Sequence, residues 1–498
     1  MTKKPSRLEK FLRVIPGLIT WITLLSPFWL GYLWPTGVVF VLTFLALFWV
    51  YRAVSHSVGV ALGYRKYIKE LKTNWLKKCL KLPEFEDLKH LILIPTVNES
   101  YQVLDNTLGG IAENNFPKDR VILAITCEEK YAKEVTKNIE KLKRKYGKYL
   151  GKEVLFYSHP AGIEGEAIGV AGANRRWGAT HAVKYLKSKG YNPDNFLFTT
   201  FDADAKIHKK YLARLSYSYL TASNKENKFY YPAVFLYDNN IWDVPPLMRI
   251  QANSVTLAVL SSAIIEPHRK DTWSAYSVTL NTLIEADYWD AAIGIDDTPF
   301  FWRAFFAKEG DFEGEGFFIP IYSDAVQGKD ALNSHVSQYK QLLRWGWGVV
   351  VFPIAMEGFL KRKSVPLIKK IMGIVYMLEQ YTIWRTITFL ITFGFGLFTL
   401  FNEEARQSAL TYTVPDVTGW ILTGAIFFLL PITIFREKLI CKKPPTWPWW
   451  KKLWIYIEGP LVMINLLTYA FIPYLDAQTR FMFGKRMKDL YFTPKERS

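Results

Sequence analysis

The sequence predicts an α/β domain carried between α-helical membrane segments, and three observations lead there. Half of the 498 residues are apolar while the mean hydropathy is only +0.02, a balance that joins long apolar runs to a polar domain. Residues 14–51 contain no charged side chain. Between residues 91 and 345, short apolar runs at 91–95, 121–126, 154–158 and 196–201 alternate with helical patterns, as in a mixed, Rossmann-like sheet covered by helices on both faces.

Residues 1–55 read as a transmembrane hairpin. Each arm approaches the ~20 residues that cross a hydrocarbon layer, and Trp34-Pro35-Thr36-Gly37 supplies the turn. The run is too long for a signal peptide and has no small-residue cleavage site. Lys3, Lys4, Arg7 and Lys10 before it, and Arg65, Lys66, Lys69 and Lys72 after it, put both ends on the cytoplasmic side.

Residues 56–90 mix apolar and basic side chains at helical spacing and read as an amphipathic connector on the membrane surface. The α/β domain occupies 91–345, with no stretch apolar enough to span. Residues 346–370, with Pro353 and Glu357 ahead of Lys361-Arg362-Lys363, read as interfacial helices.

A second membrane region covers 371–480. It holds 371–401, which carries Glu379 and Arg385, the clean span 417–435, and 453–475, which Gly459-Pro460 and Pro473 kink or make re-entrant. One span for each would leave the basic tail 481–498 outside, against the positive-inside rule. Either the first stretch splits near Arg385 or the last folds back, giving five or six spans in a multi-pass protein of the cytoplasmic membrane.

The net charge of +18 is concentrated beside the apolar runs, which assigns it to lipid headgroups. No nucleic-acid module is present. Cys79, Cys127 and Cys441 form no metal-ligand spacing and read as packing residues of a reduced protein. His159, His208 and the other histidines show no repeated ligand spacing.

Chemistry concentrates at strand ends. Asp202-Ala203-Asp204 follows the run 196–201, and two carboxylates one residue apart can hold Mg²⁺ or Mn²⁺ together with diphosphate oxygens. Asp296-Asp297 precede a helix containing Phe300, Phe301 and Arg303. A carboxylate there can take a proton from an attacking hydroxyl, or simply cap the helix.

Pro95, Thr96, Asn98 and Glu99 end the first strand and Glu128 the second, where polar groups can hold a base and ribose or serve ordinary turns. Gln341, Arg344 and Trp345 lie where the polar region meets the membrane. An Arg grips phosphate and an indole packs on a sugar face, although a membrane-interface belt has the same composition.

The order of these pieces, with Gln-x-x-Arg-Trp before membrane spans as the most specific, resembles the processive, membrane-integrated branch of family 2 glycosyltransferases. Cellulose, hyaluronan and chitin synthases belong to it. The resemblance covers nearly the whole chain, including Thr493-Pro494-Lys495.

It implies a GT-A fold and single-displacement, inverting chemistry. Asp297 is then the general base, Asp202 and Asp204 serve the metal and diphosphate, and Glu128 contacts the nucleoside. Gln341, Arg344 and Trp345 shape the acceptor and diphosphate end. Pro95, Thr96, Asn98, Glu99 and Asn174 belong with Asp202 to the nucleotide-sugar site.

Three departures stand out. Ile295-Asp296 replaces the Thr-Glu before the base, so Asp296 competes with Asp297. Cys127-Glu128 replaces an Asp-Asp. Around 169–174 the family often has a Lys that this chain lacks, leaving Arg175 or Arg176 to stand in.

The expected partners are a nucleotide-sugar donor, foremost a UDP-sugar, membrane lipids, and a polysaccharide or lipid-linked acceptor. The rival readings are a single-addition transferase acting on polyprenyl phosphate or another lipid, and an inactive transferase serving as a membrane scaffold.

Overall fold

The computed structural model describes residues 5–167, 171–266, 271–403, 407, 413, 416, 419–420, 422–424, 432–485 and 487. Eight strands lie among them: β1 (Lys89–Thr96), β2 (Val121–Glu128), β3 (Glu153–His159), β4 (Phe196–Thr200), β5 (Lys206–Ile207), β6 (Lys228–Leu236), β7 (Tyr276–Thr279) and β8 (Glu313–Tyr322). They form one sheet in the order β3-β2-β1-β4-β7-β6-β8-β5.

The first four strands coincide with the four apolar runs of the sequence. They are parallel neighbours, with Leu91 of β1 opposite Ile122 of β2 and Phe198 of β4. The apolar character of β1, β2 and β4 follows from burial on both faces, whereas the edge strand β3 is half-buried. β7 is antiparallel to β4 and β6, and β8 is parallel to β6. Two reversals return β6 and β8 to the direction of β4. The carboxyl ends of β1, β2, β3, β4, β6 and β8 therefore open on one edge, where ligands collect in open α/β sheets.

Helices cover both faces. Leu104, Leu108, Val135, Ile139 and Leu215 pack beneath one, while Ala179, Ala182, Phe300 and Phe301 pack against the other.

The membrane-type elements depart from expectation in four places. The helix Pro35–Lys72 is continuous through the expected boundary at residue 55. Its last turns pack against the helix Pro246–Ile265, where a Cβ on Gly59 would meet Ser261 Oγ at 2.2 Å and one on Gly63 would meet Leu260 Cγ at 2.8 Å. The expected surface connector is therefore a helix end docked on the α/β domain, followed by the short helix Trp75–Cys79.

Pro246–Ile265 is itself long and apolar enough to span, contrary to the expectation for 91–345, yet 61% of its most apolar 18-residue stretch is buried inside the protein. Arg249 masks its apolar character in sequence and is neutralised by Glu458.

Residues 371–401 do not split at Arg385. The helix runs Leu367–Phe401 and absorbs the irregularity as a π-turn at Glu379–Ile383, with the Arg385 guanidinium 3.6 Å from the Tyr474 ring centroid. Finally, Val351–Lys361 buries Val351, Phe352, Ala355 and Phe359 against the domain rather than offering them to lipid.

Among the described residues three helices are long and apolar enough to cross a membrane, or up to five if each of two bent pairs is one span. Arg7–Leu24 and Ser26–Leu33 meet at 66°, and the C-terminal pair bends by 50° near Gly459-Pro460. Most of 417–435, two-thirds of the basic tail 481–498, and Thr493-Pro494-Lys495 lie outside the described residues.

Candidate active site

The helix Ala171–Ser188 sets the geometry of the ligand edge. Gly172 lets its first turn approach so closely that an added Cβ would stand 2.7 Å from the Asp296 Cβ. Two residues on, the buried Asn174 amide donates to the Thr96 carbonyl at 3.0 Å and the Thr126 carbonyl at 3.4 Å, and accepts from the Thr126 hydroxyl at 2.7 Å. It stitches the ends of β1 and β2 together. Thr96 is fully buried and donates to the Thr126 carbonyl at 3.2 Å. The polar groups of Asn174 and Thr96, both expected to meet the nucleotide sugar, are spent inside the fold.

Arg175, next in the same turn, is 1% exposed. Its Nη2 donates to Asp202 Oδ1 at 2.8 Å, and its Nη1 donates to Asp296 Oδ2 at 2.7 Å and to Asp297 Oδ1. Acids from the end of β4 and from the head of the helix Asp297–Ala307 thus share one guanidinium. Arg176 takes a different course, binding Asp287 and the Trp289 carbonyl. Of the two arginines, Arg175 is the one in the cluster.

Asp296 and Asp297 divide by access. The Asp296 side chain is 9% exposed and that of Asp297 is 25% exposed. Asp296 makes no capping hydrogen bond, so the helix-cap explanation does not account for its carboxylate. Burial pushes the Asp297 carboxyl up, Arg175 opposes the rise, and the Asp296 and Asp202 charges reinforce it. A carboxylate with a raised pKa is matched to accepting a proton near neutrality.

Asp202 and Asp204 diverge. The Asp202 side chain is 47% exposed, whereas Asp204 is buried and accepts from the Ser323 hydroxyl at 2.9 Å and the Asp324 amide at 3.4 Å. Tyr237, past the end of β6, lies beside both. Burial first, then the Asp204 and Asp202 charges, drives its hydroxyl pKa far up.

Among the described residues no group of three or more His, Cys, Asp or Glu could hold a metal by itself. The two hard carboxylates fit a Mg²⁺ or Mn²⁺ that takes one or two protein oxygens and completes its shell with phosphate and water.

Farther along the edge, Glu128 engages His159 Nδ1 at 3.2 Å, and His159 Nε2 meets Glu166 at 2.8 Å. Burial opposes protonation of His159, but the two carboxylates outweigh it and raise its pKa. Glu99 accepts from the Val97 amide at 2.7 Å, while Asn98 is exposed and Pro95 half-buried.

On the other side, Gln341 and Trp345 of the helix Ala331–Gly346 line a narrow cleft with Tyr237, Gln251, Asp324 and Gln338. Arg344 does not line it. Tyr237 and Asp324 connect this cleft to the surroundings of Asp204.

Sequence reasoning missed Tyr237, Asn239 and Asp324. Asn239 donates to Asp324 Oδ1 at 2.8 Å and to the Asp204 carbonyl at 3.3 Å. Their signal was available: each follows a strand, β6 or β8, as Asp202 follows β4.

No known family's profile matches the chain, and no curated protein matches it. Among solved structures it is similar to the mannosyltransferase PcManGT from Pyrobaculum calidifontis in complex with GDP-Man and Mn²⁺, at 11% identity and a TM-score of 0.40, over 86% of this chain and 99% of the other. It is also similar to S. aureus TarS 1–349 in complex with UDP-GlcNAc, at 12% identity and a TM-score of 0.35, over 80% of this chain and 93% of the other.

Proposed function

We propose that this chain is a membrane-embedded, metal-dependent glycosyltransferase of the GT-A type and of family 2. It moves a sugar from a nucleotide sugar, foremost a UDP-sugar, to a growing polysaccharide or glycolipid on the cytoplasmic side. One observation carries the reading: Asp202 at the end of β4 and Asp297 at a helix head bind the same guanidinium. A leaving-group acid and a base are thereby held at one sheet edge.

In this reading the Asp297 carboxylate accepts the acceptor's hydroxyl proton as that oxygen bonds to the anomeric carbon. The bond from this carbon to the diphosphate oxygen breaks on the opposite side, so configuration inverts and the nucleoside diphosphate departs. When bound at Asp202 and Asp204, Mg²⁺ or Mn²⁺ supplies neutralisation of the charge on that diphosphate. Asn98, Glu99 and Glu128 face the nucleoside end, while Gln341, Arg344 and Trp345 serve the acceptor end. Pro95, Thr96 and Asn174 shape the donor site from behind, through the backbone.

The test is Mn²⁺-dependent nucleotide release from a panel of nucleotide sugars in wild type and Asp297→Asn. The expected result is release with at least one donor and a loss of about 10²–10⁴-fold in the variant. Equal activity in both would remove Asp297 as base, and no release with any donor would remove the transferase assignment. Product length separates a polymer from a single added sugar.

A further inference from the structure

We infer that Arg175 is a positioning residue that fixes Asp297 against the donor end of β4, an inference that rests on the transferase reading above. Three carboxylates from separate parts of the fold converge on it: Asp202 just past β4, Asp296 in a loop, and Asp297 in the first turn of a helix. The turn that carries Arg175 is fixed in turn by the Gly172 contact with Asp296 and by the Asn174 stitch between β1 and β2. One helical turn thus ties four elements of the ligand edge to each other.

The fork of a guanidinium is needed for this. Nη1 serves the acid pair while Nη2 serves Asp202, and a lysine ammonium, being a point charge on a flexible stem, cannot hold both directions in fixed geometry. The buried Nε makes no hydrogen bond among the described residues. Leaving a buried donor unsatisfied is costly, so the guanidinium is aimed by its two Nη groups at the carboxylates and not by its own satisfaction. Asp297 meets this grip through Oδ1 and still exposes a quarter of its side chain. Among the described residues, the charged and titratable groups around the guanidinium are Asp202, Asp296, Asp297 and the buried Tyr276.

The experiment uses full-length protein in detergent. Wild type is first titrated with UDP and Mn²⁺ by calorimetry and assayed for nucleotide release with its best donor. A wild type that neither binds nor turns over overturns the transferase reading itself.

With wild type active, Arg175→Lys is expected to fold and to bind UDP and Mn²⁺ within about threefold of wild type, with donor KM equally little changed. Its kcat is expected to fall about 100-fold, the cost of a small misplacement of reacting groups. The acid limb of its pH–rate profile is expected to move to higher pH.

A second variant, Arg175→Met with Asp296→Asn, removes one cation and one anion together and guards against a folding failure of the first. It is expected to lose kcat as strongly without rescue. Wild-type kcat and pH profile in either variant overturn the inference. So does joint collapse of stability and UDP binding in both, which marks Arg175 as a structural cation only.

Discussion

Arg249 and Glu458 meet through two parallel hydrogen bonds, Nε to Oε2 at 3.0 Å and Nη2 to Oε1 at 2.8 Å, with the side chains 7% and 2% exposed. The pair joins the helix Pro246–Ile265 to the C-terminal helical region. Breaking it by Arg249→Met or Glu458→Gln leaves a buried group without its partner and is expected to cost about 3–5 kcal/mol. The double variant Arg249→Met/Glu458→Leu is expected to recover most of that loss. Thermal unfolding in detergent checks both.

The raised pKa of Asp297 gives a signed pH dependence. The carboxyl is pushed up to about 7, against roughly 3.9 for an unfolded aspartate. Activity that needs the carboxylate is expected to rise with pH through about 7 and level off above it. Stability runs the other way, because the folded state binds this proton more tightly. The contribution is full below about pH 4 and is lost as pH rises toward 7. Asp297→Asn is expected to abolish the first dependence and flatten the second in pH-resolved unfolding.

Asp202→Asn and Asp204→Asn are expected to weaken Mn²⁺-dependent UDP binding by about tenfold or more, near 1.4 kcal/mol. UDP binding without Mn²⁺ is expected to change little. Calorimetry with and without the ion separates the two, and unchanged affinity in both variants would place the ion elsewhere.

Gly172→Ala adds a methyl where the Asp296 Cβ stands 2.7 Å away. That Cβ is not the end of a flexible side chain, so overpacking is expected to cost about 1–3 kcal/mol. Because the displaced element carries Asp296 and Asp297, nucleotide release is expected to fall as well. A variant equal to wild type in both assays would show that the turn has room to move.

Much of the ligand edge was legible because its signals are local. An apolar run followed by acids announces a buried parallel strand with polar groups at its carboxyl end, and β1, β2 and β4 answer to that pattern. What stayed hidden depends on distant partners. Arg249 lowered the hydropathy of a buried helix, and its partner lies 209 positions away. The choice between Arg175 and Arg176 was equally closed to sequence, since adjacent residues on a helix point about 100° apart and only tertiary placement says which direction holds the acids. Asn174 was assigned to the donor site by the family resemblance, yet its amide closes the gap between two strand ends.

The unbroken helix Pro35–Lys72 has a mechanical corollary. Its 38 residues make a rod of about 57 Å, against roughly 30 Å of hydrocarbon. Near its far tip Glu70 accepts from Arg214 Nε and Nη2, each at 2.9 Å, and from the Phe318 amide of β8 at 2.8 Å. In the membrane-embedded reading proposed above, a tilt of the spanning portion would swing the domain as a lever swings its load, and bilayer thickness would become an input to the height at which product is made.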